Sequence, residues 1–179
     1  AKHGPFSLLC FMFIAHLPAG YLLTRGLQIR SSCFVKLDRK KLMIVGLIGS
    51  VFPDFDIFYL YFFSSHPKHH HLYWTHLPVY WLLILTILFL VKNWRADLFG
   101  YGIIFVANVF LHLILDTVAG DIWWLYPIVD QPFCLVTVPA LYHPWWLNFV
   151  WHWTFGLEVS ICIVVVTVWI KTQKNLKKF

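Results

Sequence analysis

The sequence predicts an all-α, polytopic integral membrane protein: a single membrane-embedded domain over residues 1–179. Three observations carry this. Of the residues, 60% are hydrophobic and only 12% charged, with a mean hydropathy of +0.70; a soluble domain is about half apolar with roughly a quarter charged. The apolar residues gather in runs near the roughly 20 residues that a helix needs to cross the hydrocarbon core. The aromatics, 20% of the chain, concentrate Trp and Tyr near the ends of those runs, where amphipathic rings settle at the bilayer interface.

Five runs give about five transmembrane or membrane-embedded helices. The first, residues 5–24, has no small-x-small cleavage site behind it and reads as a membrane segment, not a removed signal. Ahead of it, Ala1-Lys2-His3 could chelate copper or nickel only at a true mature terminus, and a processed or tagged end is the plainer reading. This run carries His16, then Pro18 and Gly20, which loosen a helix. The second, 42–63, contains Gly46, Gly49 and Ser50, small residues that let helices approach closely. Pro53 then breaks the helix just where Asp54 and Asp56 appear. Such a break is tolerated at membrane depth only inside protein or beside a wet cavity.

The third run, 77–91, is short and is preceded by His71, Thr75 and His76. The fourth, 98–118, ends on His112 and Asp116, which share one helix face at i and i+4. Residues 121–144 hold Asp121, Asp130, Pro127, Pro132 and Pro139 without a basic residue. A connection this long is expected to fold, here as an interfacial cap. The fifth run, 146–170, has His143 and His152 about its start and Glu158 within it.

Net charge is +6, but the basic residues lie beside the apolar runs and no nucleic-acid-binding motif is present. Nucleic acid is therefore excluded as a partner. Arg25, Arg30, Lys36, Arg39, Lys40 and Lys41 follow the first run, Lys92 and Arg95 the third, and Lys171, Lys174, Lys177 and Lys178 the fifth. Only Lys2 and Lys68 are left for the other side. The positive-inside rule then predicts a multi-pass inner (plasma) membrane protein, N-terminus outside and C-terminus cytoplasmic. The four cysteines, Cys10, Cys33, Cys134 and Cys162, are scattered without a CxxC and read as packing residues.

Imidazoles and carboxylates are costly at membrane depth unless they find partners. With 1.5 Å of rise per residue, Asp54 stands about 18 Å above the start of its run, and His112 and Asp116 about 21 and 27 Å above theirs. His71, His76 and His143 belong to the outer interface, so several segments bring polar groups to the outer half of the membrane. His16, mid-run, fits that level least well. His16, Asp54, His71, His76, His112 and Asp116 are the candidate metal ligands. Mixed nitrogen and oxygen donors suit zinc, with manganese or iron as alternatives, better than calcium or magnesium. The set suffices for two ions sharing a carboxylate. Asp54 and Asp56 are the candidate catalytic residues; Asp56 could ligate, orient a ligating His, or act as general base. Trp123, Trp124 and His143 are candidate substrate contacts, with Trp145 and Trp146 completing a cap for acyl or isoprenoid chains. A metal-free hydrogen-bonded network is the competing reading. His66, His69 and His70 read as a solvated turn.

The order His16 with Gly20, Gly49-Ser50-x-x-Pro53-Asp54-x-Asp56, His71-x-x-x-Thr75-His76, and His112-x-x-x-Asp116-x-x-x-Gly120 followed by Pro127 resembles the YdjM-like membrane-bound metal-dependent hydrolases. The resemblance covers about residues 10–130. It departs at Leu72, where the family usually has Arg. That family in turn looks like a membrane-embedded relative of the zinc-dependent phospholipase C and single-strand nuclease superfamily. The superfamily's closing His-x-x-x-Glu is missing, since Gly156 stands four after His152, so a third metal is not expected. The resemblance implies an enzyme: a metal-dependent hydrolase cleaving a lipid phosphoester from the extracytoplasmic side with metal-activated water. A metal- or proton-translocating membrane protein and an inactive accessory subunit, with Leu72 as its trace, are the alternatives. The sequence names no protein partner, oligomeric state or particular lipid.

Overall fold

A computed structural model describes residues 14–30, 34, 36–63, 70–144 and 146–176. Residues 5–13 of the first run, Cys10, Cys33, His66, Lys68, His69 and Trp145 lie outside these. Among the described residues the protein is all-helical: α1 (His16–Arg30), α2 (Arg39–Val51), α3 (Phe55–Phe63), α4 (Pro78–Val91), α5 (Ala96–Asp116), α6 (Leu147–Val150) and α7 (Trp153–Leu176). Two 3-10 turns, His70–Leu72 and Trp74–His76, precede α4. The only β pairing among the described residues is an isolated bridge between Ile122 and Phe133.

α5 is the hub, packed against α1, α2 and α4. Gly100, Ile104, Asn108, His112 and Asp116, one per helical turn, are all buried along it. Trp81 and Leu88 of α4 meet Val106, Val109 and Leu113 of α5 beneath Ile122 of the cap. Phe34, Leu42 and Ile104 fill the opposite end. Gly49 lets α2 lie against the α5 backbone: a Cβ there would stand 2.6 Å from the Phe105 carbonyl oxygen.

The elements differ from the expected runs in instructive ways. α1 starts at His16 and continues to Arg30, past residue 24. Pro18 therefore lies in its first turn, where its missing N–H costs nothing, and does not loosen the helix. The second run divides at Phe52–Asp54 into α2 and α3. Among the described residues two helices, Ala96–Asp116 and Trp153–Lys174, are long and apolar enough to cross a membrane. α1, α2 and α4 have 15, 13 and 14 residues; at 1.5 Å each they reach only about 20–22 Å, short of a core roughly 30 Å thick. Of the about five expected transmembrane or membrane-embedded helices, two among the described residues are thus long enough to cross by length.

Charge is sorted by end. α2 opens with Arg39-Lys40-Lys41, against its own dipole. Asp38 compensates by accepting the Lys40 and Lys41 N–H groups at 2.8 and 3.1 Å. Those bonds, with that of Lys41 foremost, hold its carboxyl below the usual range. Apolar side chains, by contrast, cover the outside: Phe62, Phe63, Leu90, Ile163 and Trp169 are all exposed. Exposed apolar surface on this scale marks a surface built to contact a membrane or another protein.

Candidate metal centre

Each element delivers its polar residue at the same end of the bundle. His16 opens α1, Asp54 follows the end of α2, and His71 and His76 sit in the turns before α4. His112 and Asp116 close α5. Helices that alternate in direction bring these termini together, which explains His16: its helix begins at the level of the cluster instead of passing through it.

Asp116 is the centre. Its Oδ1 lies 3.1 Å from His16 Nε2. Its Oδ2 lies 2.9 Å from His112 Nε2, 3.6 Å from His76 Nε2 and 3.9 Å from His71 Nε2. Asp54 Oδ1 completes the set, 3.6 Å from His112 Nε2 and 3.8 Å from His76 Nε2. The donor atoms of Asp54, His76, His112 and Asp116 all lie within 4.8 Å of one another. Two ligand atoms about 2.0–2.1 Å from one tetrahedral zinc are about 3.4 Å apart, so these separations match a shared cation.

The tautomers favour the same conclusion. His112 Nδ1 donates to the Ser50 carbonyl at 2.9 Å, and His71 Nδ1 to the Asp121 carbonyl at 2.9 Å. His76 Nδ1 donates to Asp56 Oδ2 at 2.7 Å. Carbonyl and carboxylate oxygens accept, so each of these three rings carries a proton on Nδ1 and, when neutral, turns its Nε2 lone pair inward. That lone pair faces carboxylate oxygens, which are also acceptors. His112 Nε2, Asp54 Oδ1 and both Asp116 oxygens are buried without a hydrogen bond. Buried polar atoms are normally satisfied. With neutral rings acceptor faces acceptor in a buried pocket, an arrangement that a cation resolves.

Asp56 stands behind His76, not among the converging donors. Its Oδ2 accepts from the Thr75 hydroxyl and from His76 Nδ1, both at 2.7 Å. Of the three roles open to it in the sequence, the geometry favours orienting His76, the carboxylate–histidine arrangement common behind metal ligands. Asp54 is different. Its side chain is 30% exposed while those of His76, His112 and Asp116 are 0%, so the cluster opens at Asp54.

The cap residues divide. Trp123 is buried and packs within the fold. Trp124 donates its indole N–H to Thr117 Oγ1 at 2.9 Å. It also lines an open apolar cleft of about 470 Å³ with Ile114, Thr117, Leu125, Gln131, Phe133 and Leu135. His143 is exposed on the segment before α6, and among the described residues no ion pair joins it to the cluster. His152 Nδ1 lies 2.9 Å from Thr154 Oγ1. The parts to which the residue pattern assigned no role are the Ser50 and Asp121 carbonyls and Glu158, whose Oε2 accepts the Ile14 N–H at 2.7 Å; Thr75, part of the motif, proves to donate to Asp56.

A family model described as YdjM inner membrane protein matches residues 11–176, nearly the whole chain. Neither the curated proteins nor the solved structures contain a match.

Proposed function

The chain belongs to the YdjM inner membrane protein family, and from that premise we propose that it is a membrane-embedded, metal-dependent hydrolase acting on a lipid phosphoester from the extracytoplasmic side. The observation that carries the reading is the convergence of imidazole lone pairs on Asp116, with Asp54 the one ligand open to a substrate. The closed side of the cluster, in this reading, holds the ions and the open side receives the headgroup.

His16, Asp54, His71, His76, His112 and Asp116 are the ligands. Zinc is favoured, manganese or iron being the alternatives. Two ions are supported by the way Asp116 presents Oδ1 to His16 and Oδ2 to the other three histidines, as a shared carboxylate does. A divalent metal supplies Lewis acidity: it acidifies water and offsets the charge that builds on phosphoryl oxygens. The chain's own residues do the rest. Ser50, Asp121 and Asp56 keep a proton on Nδ1 of His112, His71 and His76, so that Nε2 of each stays a ligand. Asp54, half inside and half at the mouth, is positioned to take a proton from attacking water. The surrounding apolar packing excludes bulk water from the other carboxylate.

The expected embedding has α1, α2, α4, α5 and α7 within the bilayer, the three shorter helices relying on the interfacial turns to complete their depth. A lipid substrate is supported by the exposed aromatics Phe55 and Phe58 that follow Asp54 in the chain, the ligand at which the cluster opens. Purified protein should release phosphate or a phosphorylated headgroup from an anionic or isoprenoid lipid. Chelator should abolish the release, and zinc or manganese restore it. If metal-loaded protein turns over nothing across phospholipids and polyprenyl phosphates, yet moves zinc or protons in liposomes, the translocating alternative replaces this one.

A further inference from the structure

Glu158 is the one charged residue between Trp153 and Ile170 of α7. It is 3% exposed. α7 is otherwise a largely exposed apolar helix, only 11% buried over its membrane-length window. A carboxylate in such a helix is costly unless it is held by partners. Its Oε2 accepts the Ile14 N–H at 2.7 Å. One turn on, the Cys162 thiol lies 3.9 Å from the Ile14 carbonyl oxygen. Both backbone groups of Ile14 are therefore held by one face of α7, with Thr154, buried one turn earlier, on the same stripe.

Ile14 is the last residue but one before α1. The Ala15 carbonyl accepts the first intrahelical bond, from Ala19 N–H at 2.8 Å, and His16 follows with its Nε2 3.1 Å from Asp116 Oδ1. A helix start has N–H groups with no partner inside the helix and is prone to fray unless it is tied down. We propose that Glu158 is a positioning residue for the metal centre: by accepting the Ile14 N–H it fixes the start of α1 and so holds His16 against Asp116. The inference rests on the metal-centre reading above. It assigns to α7, which supplies no ligand, the task of fixing the ligand nearest the chain's entry into the bundle.

The test is cobalt(II) titration of the detergent-purified full chain, followed by the visible band whose intensity and position report coordination. Glu158→Gln keeps an acceptor oxygen and should bind within about two-fold of wild type. Glu158→Leu should bind about ten-fold more weakly, within the range for losing an outer-shell partner, and alter the band as His16→Ala does. The double variant should be no weaker than His16→Ala alone, because both changes remove one ligand. Helix content by circular dichroism accompanies each variant. Should Glu158→Leu lose it, Ile14→Pro removes the donor instead and should give the same altered band. Wild-type binding and an unchanged band in Glu158→Leu, or additive losses in the double variant, overturn the inference while leaving the metal centre standing. A wild type that takes up no cobalt overturns both.

Discussion

Asp116 is buried with its two carboxylate oxygens among four imidazoles, and its chemistry separates a metal centre from a charged network. In a metal-free network a ring must donate to it from Nε2, either His16 as its Nε2–H tautomer or a ring protonated at both nitrogens, and Asp116→Asn would then remove the charge that a buried donor is paired with, a change that costs several kcal/mol when the pair is ionic. In a metal centre the rings are neutral, and the amide NH₂ of Asn can donate to the inward lone pair of His112, 2.9 Å from Oδ2. Asp116→Asn is therefore expected to keep or raise the melting temperature of the apo protein while losing at least one equivalent of metal by elemental mass spectrometry. A variant that melts lower with unchanged metal content would make the cluster structural. The i,i+4 pairing of His112 with Asp116 was legible in the sequence because helix geometry is local. The Ser50 and Asp121 carbonyls, which set the tautomers, were not: any residue offers a carbonyl, so no residue pattern marks them.

At the scale of elements, the site depends on how closely α2 can approach α5. Gly49 faces the backbone of Phe105, and Ser50, next to it, accepts from His112. A methyl group at 49 would meet a carbonyl oxygen, which cannot swing aside as a flexible side chain would. Gly49→Ala should destabilise the fold by about 1–3 kcal/mol, the usual cost of overpacking. It should also weaken metal binding by moving the Ser50 carbonyl from His112. Thermal unfolding in detergent, with and without zinc, reads both effects. Equal zinc stabilisation in the variant and the wild type would uncouple packing from the site. The small residues of α2 were readable as a close-approach face, and their partner was not, since sequence periodicity reports a face but not what it meets. Helix ends show the same limit. Apolar content alone places the first helix over 5–24, whereas its start at His16 is tied to Glu158, more than a hundred residues away.

For the whole molecule, α1, α2, α4 and α5 each have a charged end and a chemical end. Arg30 closes α1, Arg39 opens α2, Lys92 follows α4, Arg95 precedes α5 and Lys174 lies in the last turn of α7. The ligands occupy the opposite ends of α1, α2, α4 and α5. The three basic residues of α2 oppose its dipole, so their placement follows a demand stronger than local helix stability, and membrane orientation is such a demand. The basic end should therefore be cytoplasmic and the cluster extracytoplasmic. In a chain with its native cysteines replaced, Gln131→Cys in the cap should react with an impermeant maleimide on intact cells. Lys92→Cys should react only after the membrane is opened. Both positions are exposed, so a silent cysteine reports the wrong side and not burial. Labelling at 92 alone would turn the molecule over, put the mouth at Asp54 on the cytoplasmic leaflet, and move the substrate search to lipids presented there.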